Sequence, residues 1–306
     1  MSCKQNILIK HNILQACRNI LIKRGFIEVS TPSLLKKTSK NTGKIVANLS
    51  NIITTQKEAF LKKAHDNVLR SLLLYNDKIF ELGKCFRMEN PDKTHYPEFL
   101  LLEICANNIT LDYFIHLTVE ILSTIFEKDI VYNIISIHEF IKQDLGIDIE
   151  NIDSKELKRT ILKNNSEQNF EDCMSDDAVI LKYIENNIEQ KPGINFINDY
   201  PVCTNTKAKR IKNSNLLHRF ELFISGLEIA NSYLYESDVE DFINRCKEIS
   251  STCYNHEEKL LVNYMKNSQF PASSGILGIG IERLCCAYAN SNIDEFIFGK
   301  EFCWHL

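Results

Sequence analysis

The chain has 306 residues and a net charge of −4, with hydrophobic residues at 44% and charged residues at 25%. These values suit a globular enzyme of one large domain or two small ones. They exclude the global basic field that drives extended, nonspecific nucleic-acid binding, although Lys207, Lys209, Arg210 and Lys212 form a local basic patch.

Eleven cysteines occur without a CxxC pair or zinc-finger spacing, which reads as reduced thiols in a cytoplasmic protein. The start, MSCKQNILIK, has no signal-peptide core, and no apolar run is long enough to span a membrane. In chain order, Ile9, Ile13, Cys17, Ile20 and Leu21 recur at helical spacing over 4–24, with Gly25 as the stop. Residues 26–34 alternate like a strand running into Pro32, 36–58 are polar and unassigned, and 61–74 read as a helix. Strands are expected at 79–86 and 98–105, joined by a polar loop, and Thr110 caps a helix running to 127. Several short helices fill 135–190, and 194–202 reads as a strand. Ser225-Gly226 turns a hairpin of strands 219–224 and 227–234, a helix covers 237–249, and a glycine-containing strand at 275–281 feeds a helix at 282–290. Antiparallel strands with helices grouped elsewhere make the class α+β.

Chemistry concentrates in KIFELGKCFRMENPDKTHYPEFLLLE, residues 78–103. Arg87 at a strand end can hold a phosphate or carboxylate bidentately, although an isolated arginine is more often a surface ion pair. Glu89 can accept from an adenine amino group, His95 can meet a phosphate, and Phe99 can stack on a base. In the hairpin, Ile224 pairs with Leu227 and Phe223 with Glu228, so Glu221 falls diagonal to Glu228, roughly 7–8 Å away at the backbone. Two such carboxylates can share Mg²⁺ on a triphosphate; incidental acids on a solvent face are the bland alternative. Gly278 and Gly280 leave room for a flat ligand, and Arg283, opening the next helix, can stack on an adenine or bind a phosphate.

Together these segments resemble the class II aminoacyl-tRNA synthetases, in particular their lysyl branch. RGFIEVSTPSL is similar to motif 1, FRMENPDKTHYPEF to motif 2 and GIGIERL to motif 3, while DYPV and RFELFISGLEIAN are close to the lysyl signature. The resemblance implies an antiparallel sheet of six or seven strands flanked by helices. It also implies a single catalytic domain over 1–306 with a helical insertion at 135–190, and a homodimer through the first helix and the following strand. The implied cofactors are ATP and Mg²⁺. Arg87 and Arg283 would be catalytic; Arg87, Glu89, His95, Phe99, Glu221, Glu228 and Arg283 would bind ATP; Glu221 and Glu228 would hold the metal. Glu103, Cys105, Asn231, Tyr233, Tyr235 and Gly278 would form the amino-acid pocket.

The implied reaction is attack of an amino-acid carboxylate on the α-phosphate, then acyl transfer. The acceptor would be a protein lysine, a small-molecule amine or a tRNA acceptor stem; a non-catalytic regulator or amino-acid sensor is the other reading. Motif 1 begins about 25 residues in, so the lysyl branch's N-terminal anticodon-reading barrel is expected to be absent, as in the free-standing ligase that attaches (R)-β-lysine to elongation factor P. Cys105 stands where the family has a tyrosine, and Tyr235 where it has the glutamate that receives the lysine ammonium. Glu236, one step on, is expected to face the other way. The expected substrate side chain is therefore not that of ordinary lysine. For the α-amino group, His65 has the family's spacing, and Asp66 has it if one residue is deleted. Asn205-Thr206-Lys207 replaces the family's S-P-L.

Overall fold

The computed structural model describes residues 3–35, 44–45, 59–164, 174–204, 207–249, 256–267, 270–271 and 273–300. Most of the unassigned 36–58 stretch, and Asn205 and Thr206, lie outside these. Helix α1 (Cys3–Lys23) buries Ile13, Cys17, Ile20 and Leu21 and stops at Gly25, whose φ of +82° suits glycine. The expected strand over 26–34 is divided. Pro32 has no N–H to donate, so pairing survives on either side of it as β1 (Ile27–Glu28) and β2 (Leu34–Leu35). With β3 (Lys44–Ile45) and β4 (Ala59–Leu61), β2 forms a separate small sheet. The helix expected over 61–74 therefore begins later, as α2 (Asp66–Leu72).

The main sheet contains β5 (Lys78–Phe86) and β6 (Glu98–Asn107), then β7 (Asn133–Ser136), β8 (Ile194–Asn198), β9 (Arg219–Ile224), β10 (Leu227–Leu234) and β11 (Ser274–Gly280). Its order is β1-β5-β6-β11-β10-β9-β8-β7. The six central strands are antiparallel, and a parallel pair closes each edge, β1 on β5 and β7 on β8. At its margins, β1 is what remains of the strand expected over 26–34, while β7, of four residues, was too short for periodicity to resolve.

Helix α3 (Leu111–Phe126) starts at Thr110, whose side chain accepts from the Tyr113 N–H, and ends at Glu127 in a left-handed conformation. Helices α1, α3 and α9 (Ile281–Ala289) share one apolar core with the sheet. Strand alternation sorts β6 cleanly. Leu102, Ile104 and Ala106 enter that core, while Phe99, Leu101 and Glu103 face a cavity on the opposite side. A second core joins α4 (Ile137–Leu145), α5 (Ser154–Asn164) and α6 (Asp176–Ile184) to Tyr200, Leu216 and Phe223. Helix α6 continues into a π-helical turn, Glu185–Glu189. The helices α7 (Val239–Ile249) and α8 (His256–Asn267) form a third apolar cluster; α8 was not anticipated.

The β9–β10 hairpin turns where expected. Ser225 and Gly226 have φ of 48° and 87°, the two positive values of a type I′ turn. A Cβ at Gly226 would also lie 2.8 Å from Gln190 Oε1. Gly226→Ala should therefore cost about 1 kcal/mol or more of stability, read from its urea midpoint. Beyond the turn, Leu227 pairs with Ile224 and Glu228 with Phe223, and then a bulge at Ile229 shifts the register so that Ala230 meets Leu222. Sequence spacing alone put Glu221 diagonal to Glu228. The bulge instead sets Asn231 directly opposite Glu221.

Candidate active site

The cavity holds about 290 Å³ and lies over the face of β6, β11 and β10 that the helical core leaves free. Register explains its composition. Glu103 pairs with Gly278 and Gly278 with Asn231, so three neighbouring strands present a carboxylate, an open backbone and an amide in one row. Arg87, Glu89, His95 and Phe99 arrive from the β5–β6 connection, and Arg283 from the first turn of α9.

Arg283 ties these pieces together. Its Nη1 donates to Glu228 Oε2 at 2.9 Å and to the Glu228 carbonyl at 3.2 Å, its Nε to the Thr94 carbonyl at 3.2 Å, and its Nη2 to His95 Nε2 at 2.9 Å. Arginine only donates, so His95 Nε2 must accept. The histidine proton then sits on Nδ1, which donates to Asp92 at 2.9 Å. The backbone N–H of Thr94, followed by His95, holds the Asp92 carboxyl well below its usual range. The guanidinium of Arg87 lies 5.0 Å from the Phe99 ring centroid, so one face of that ring is already occupied by a cation.

Glu221 sits one strand further from the cavity and does not line it. It is 8% exposed, accepts from the Tyr200 hydroxyl at 2.7 Å and from Asn231 Nδ2 at 3.0 Å, and forms an ion pair with Arg219. Burial raises its carboxyl, and Arg219 opposes that rise. Asn231 spends one N–H on Glu221, and its Oδ1 is buried without a partner. Glu189, from the π-helical turn, is pushed up to about 8 by burial and then by Glu221 and Glu228. Of these three carboxylates Glu228 alone opens to the cavity, where it suits a hard divalent cation shared with phosphate oxygens; the three do not lie close enough together to hold one ion among themselves. Glu189 carried no sequence signal, because it lies in a helical stretch read as insertion.

Asp66, at the start of α2, closes the far end. Its Oδ2 accepts from the Tyr233 hydroxyl at 2.6 Å and its Oδ1 from the Tyr235 hydroxyl at 2.7 Å. Of the two positions compared by spacing, Asp66 lines the cavity. His65 is buried beneath it, near Glu81 at 3.4 Å and Cys85 Sγ at 3.4 Å. Burial lowers His65 to about 4. Cys105 and Tyr235 are brought together, Sγ to Oη at 3.4 Å, but both lie behind the lining. Burial also raises the Cys105 thiol well above its usual range. Glu236 turns away, as strand alternation requires, and accepts from the Asp238 N–H.

Glu103 accepts from the His65 N–H, and burial, then the nearby Asp66, push it up to about 8. In the folded chain it keeps its proton across a window, from about 4.5 to about 8, in which the unfolded chain has released it. Stability should therefore fall as pH rises through that window. Glu103→Gln should flatten part of this slope in thermal melts from pH 5 to 8; Glu189 adds to the slope, and His65, lowered to about 4, opposes it below about pH 6.5.

A family model described as tRNA synthetases class II (D, K and N) matches residues 1–300. The chain belongs to the class II tRNA synthetases. Proteins named lysine–tRNA ligase are among its relatives. That of Saccharolobus solfataricus is 29% identical over 94% of this chain and 63% of its own length. That of Buchnera aphidicola subsp. Schizaphis graminum is 30% identical over 92% and 60%, and that of Fervidobacterium nodosum 26% over 94% and 60%. The chain thus spans less than two thirds of these relatives. The α+β fold accords with this membership, and among the described residues no helix is long and apolar enough to cross a membrane.

Proposed function

We propose that the chain binds ATP and an amino acid in this cavity, joins them as an aminoacyl-adenylate with release of pyrophosphate, and passes the acyl group to an amine of a protein or small molecule. The observation that carries the reading is the convergence of Arg87, Arg283, His95 and Glu228 on one cavity whose other end is Asp66 and Glu103. In this reading Arg87 and Arg283 neutralise charge that develops on the phosphates, and Glu89 and Phe99 hold the adenine. Mg²⁺, which would neutralise triphosphate charge when bound, is assigned to Glu228 and Glu221. Asp66 receives the α-amino group. We take 1–306 as one cytoplasmic catalytic domain with an insertion at 135–190.

Amino-acid-dependent exchange of pyrophosphate into ATP tests the first half. The second half is tested by labelled amino acid appearing on a protein or amine after AMP release. Label on tRNA instead would favour a second reading, tRNA aminoacylation, to which the names of the relatives point.

We also assign a homodimer to α1 and the β1–β2 segment, where Ile7, Leu8, Ile27 and Leu34 are each more than two fifths exposed. Sedimentation at micromolar concentration should give twice the chain mass, and Leu8→Glu should halve it.

A further inference from the structure

The cavity stops at the same line on three adjacent strands. Along β6, Phe99, Leu101 and Glu103 line it and Cys105 does not; along β11, Gly280, Gly278 and Ile276 line it; along β10, Asn231 and Tyr233 line it and Tyr235 does not. The register makes these a pair of successive rows. Glu103, Gly278 and Asn231 form the last open row, and Cys105, Ile276 and Tyr233 the row that closes it. Rows two residues apart along a strand are separated by about 6.8 Å. The contact shell of the closing side chains takes up roughly 3.5–4 Å of that. For a substrate Cα held over Gly278, what remains accommodates roughly two or three non-hydrogen atoms, too few for the four-carbon stem and ammonium of lysine.

The closing row is braced rather than soft. The hydroxyls of Tyr233 and Tyr235 both donate to Asp66, and their rings meet edge to face at 5.7 Å. The guanidinium of Arg70, itself 2% exposed, lies 4.6 Å from the Tyr235 centroid and 4.9 Å from that of Phe242. A fixed positive charge therefore stands directly behind the floor, where a substrate ammonium would have to end. The hydroxyl protons of both tyrosines are already committed to Asp66, so a side chain reaching the floor meets Ile276, the Tyr233 phenol oxygen and an Asp66 carboxylate whose two oxygens are each already engaged.

Resting on the adenylation reading above, we infer that the amino acid this site takes has a short, uncharged side chain, of the size of alanine or serine, and that the Asp66–Tyr233–Tyr235 brace sets that limit. The test measures the affinity of the full chain for two non-hydrolysable adenylate mimics, the alanyl and lysyl sulfamoyl-adenosines, by calorimetry. Pyrophosphate exchange with glycine, alanine, serine, ornithine, lysine and (R)-β-lysine runs beside it. The alanyl mimic should bind at least about tenfold more tightly than the lysyl mimic, a difference of about 1.4 kcal/mol. Tyr235→Ala should reduce that ratio by removing the brace. Should the variant not fold, the ratio measured on the unaltered chain decides alone. Equal affinities, a tighter lysyl mimic, or an alanyl mimic no tighter than sulfamoyl-adenosine would overturn the inference. Exchange with lysine would do the same and leave adenylation standing. Absence of exchange with every amino acid would strike adenylation itself, and the ratio of affinities would still decide the side-chain class.

Discussion

Arg283→Ala is expected to lower the rate of pyrophosphate exchange by about 10²–10³-fold, the usual loss when one preorganised donor is removed from a site of charge development. The effect should be large because this side chain does two jobs. It projects from the first turn of α9 into the cavity, and it holds the β5–β6 connection in place through the Thr94 carbonyl and His95 Nε2. Without it, Glu228 also loses its ion-pair partner at 2.9 Å. Arg283→Lys should recover little, since an ammonium cannot reach Glu228, Thr94 and His95 from one fork. His95→Ala separates the two jobs. It removes one of the two loop contacts, keeps that to the Thr94 carbonyl and the Glu228 pair, and should cost less than Arg283→Ala in exchange rate. Equal losses would mean that the His95 contact, through loop placement or through the phosphate, accounts for the whole effect.

Glu221→Ala is expected to destabilise the fold by about 3–5 kcal/mol, visible as a lower urea midpoint. The side chains of Glu221 and Arg219 are each 11% exposed, so deleting the carboxylate leaves a buried guanidinium without its ion-pair partner. The Tyr200 hydroxyl and Asn231 Nδ2 lose an acceptor at the same time. Replacing both members, Arg219→Met with Glu221→Ala, should cost less than the sum of the single changes, because the stranded charge is then absent. Exchange activity should be low in the single variant for separate reasons, the loss of a carboxylate assigned to Mg²⁺ and of Asn231 orientation beside the amino-acid end of the cavity. A stable but inactive Glu221→Gln would separate these two consequences.

The parts of the site that the sequence exposed are those that depend on alternation and tight turns. The Ser225-Gly226 turn fixed the first two hairpin pairs, and strand alternation on β6 sent Glu103 to the cavity and Leu102 to the core. What escaped depends on non-local geometry. The bulge at Ile229, which aims Asn231 at Glu221, has no local marker in the run Leu227–Leu234. The role of Asp66 rests on tyrosines some 167 positions later. Cys105 and Tyr235 have the right strand parity to face a ligand, yet Tyr233, Ile276 and Asp66 close the cavity in front of them. Parity gives the face and says nothing of depth. The short edge strand β7 likewise carries too few residues for a period to emerge.

Lys10, midway along α1, donates to Glu282 at 2.7 Å and to the Phe296 carbonyl at 2.9 Å, while the other oxygen of Glu282 accepts the Leu100 N–H. Glu282 immediately precedes Arg283. One largely buried ion pair therefore joins α1 to the residue next to the one that gathers the nucleotide end of the cavity. If α1 also carries the subunit contact, association and turnover share a mechanical element. Specific activity per chain would then decline on dilution below the dissociation constant, and ATP would raise the apparent strength of self-association by the same factor, as thermodynamic reciprocity demands.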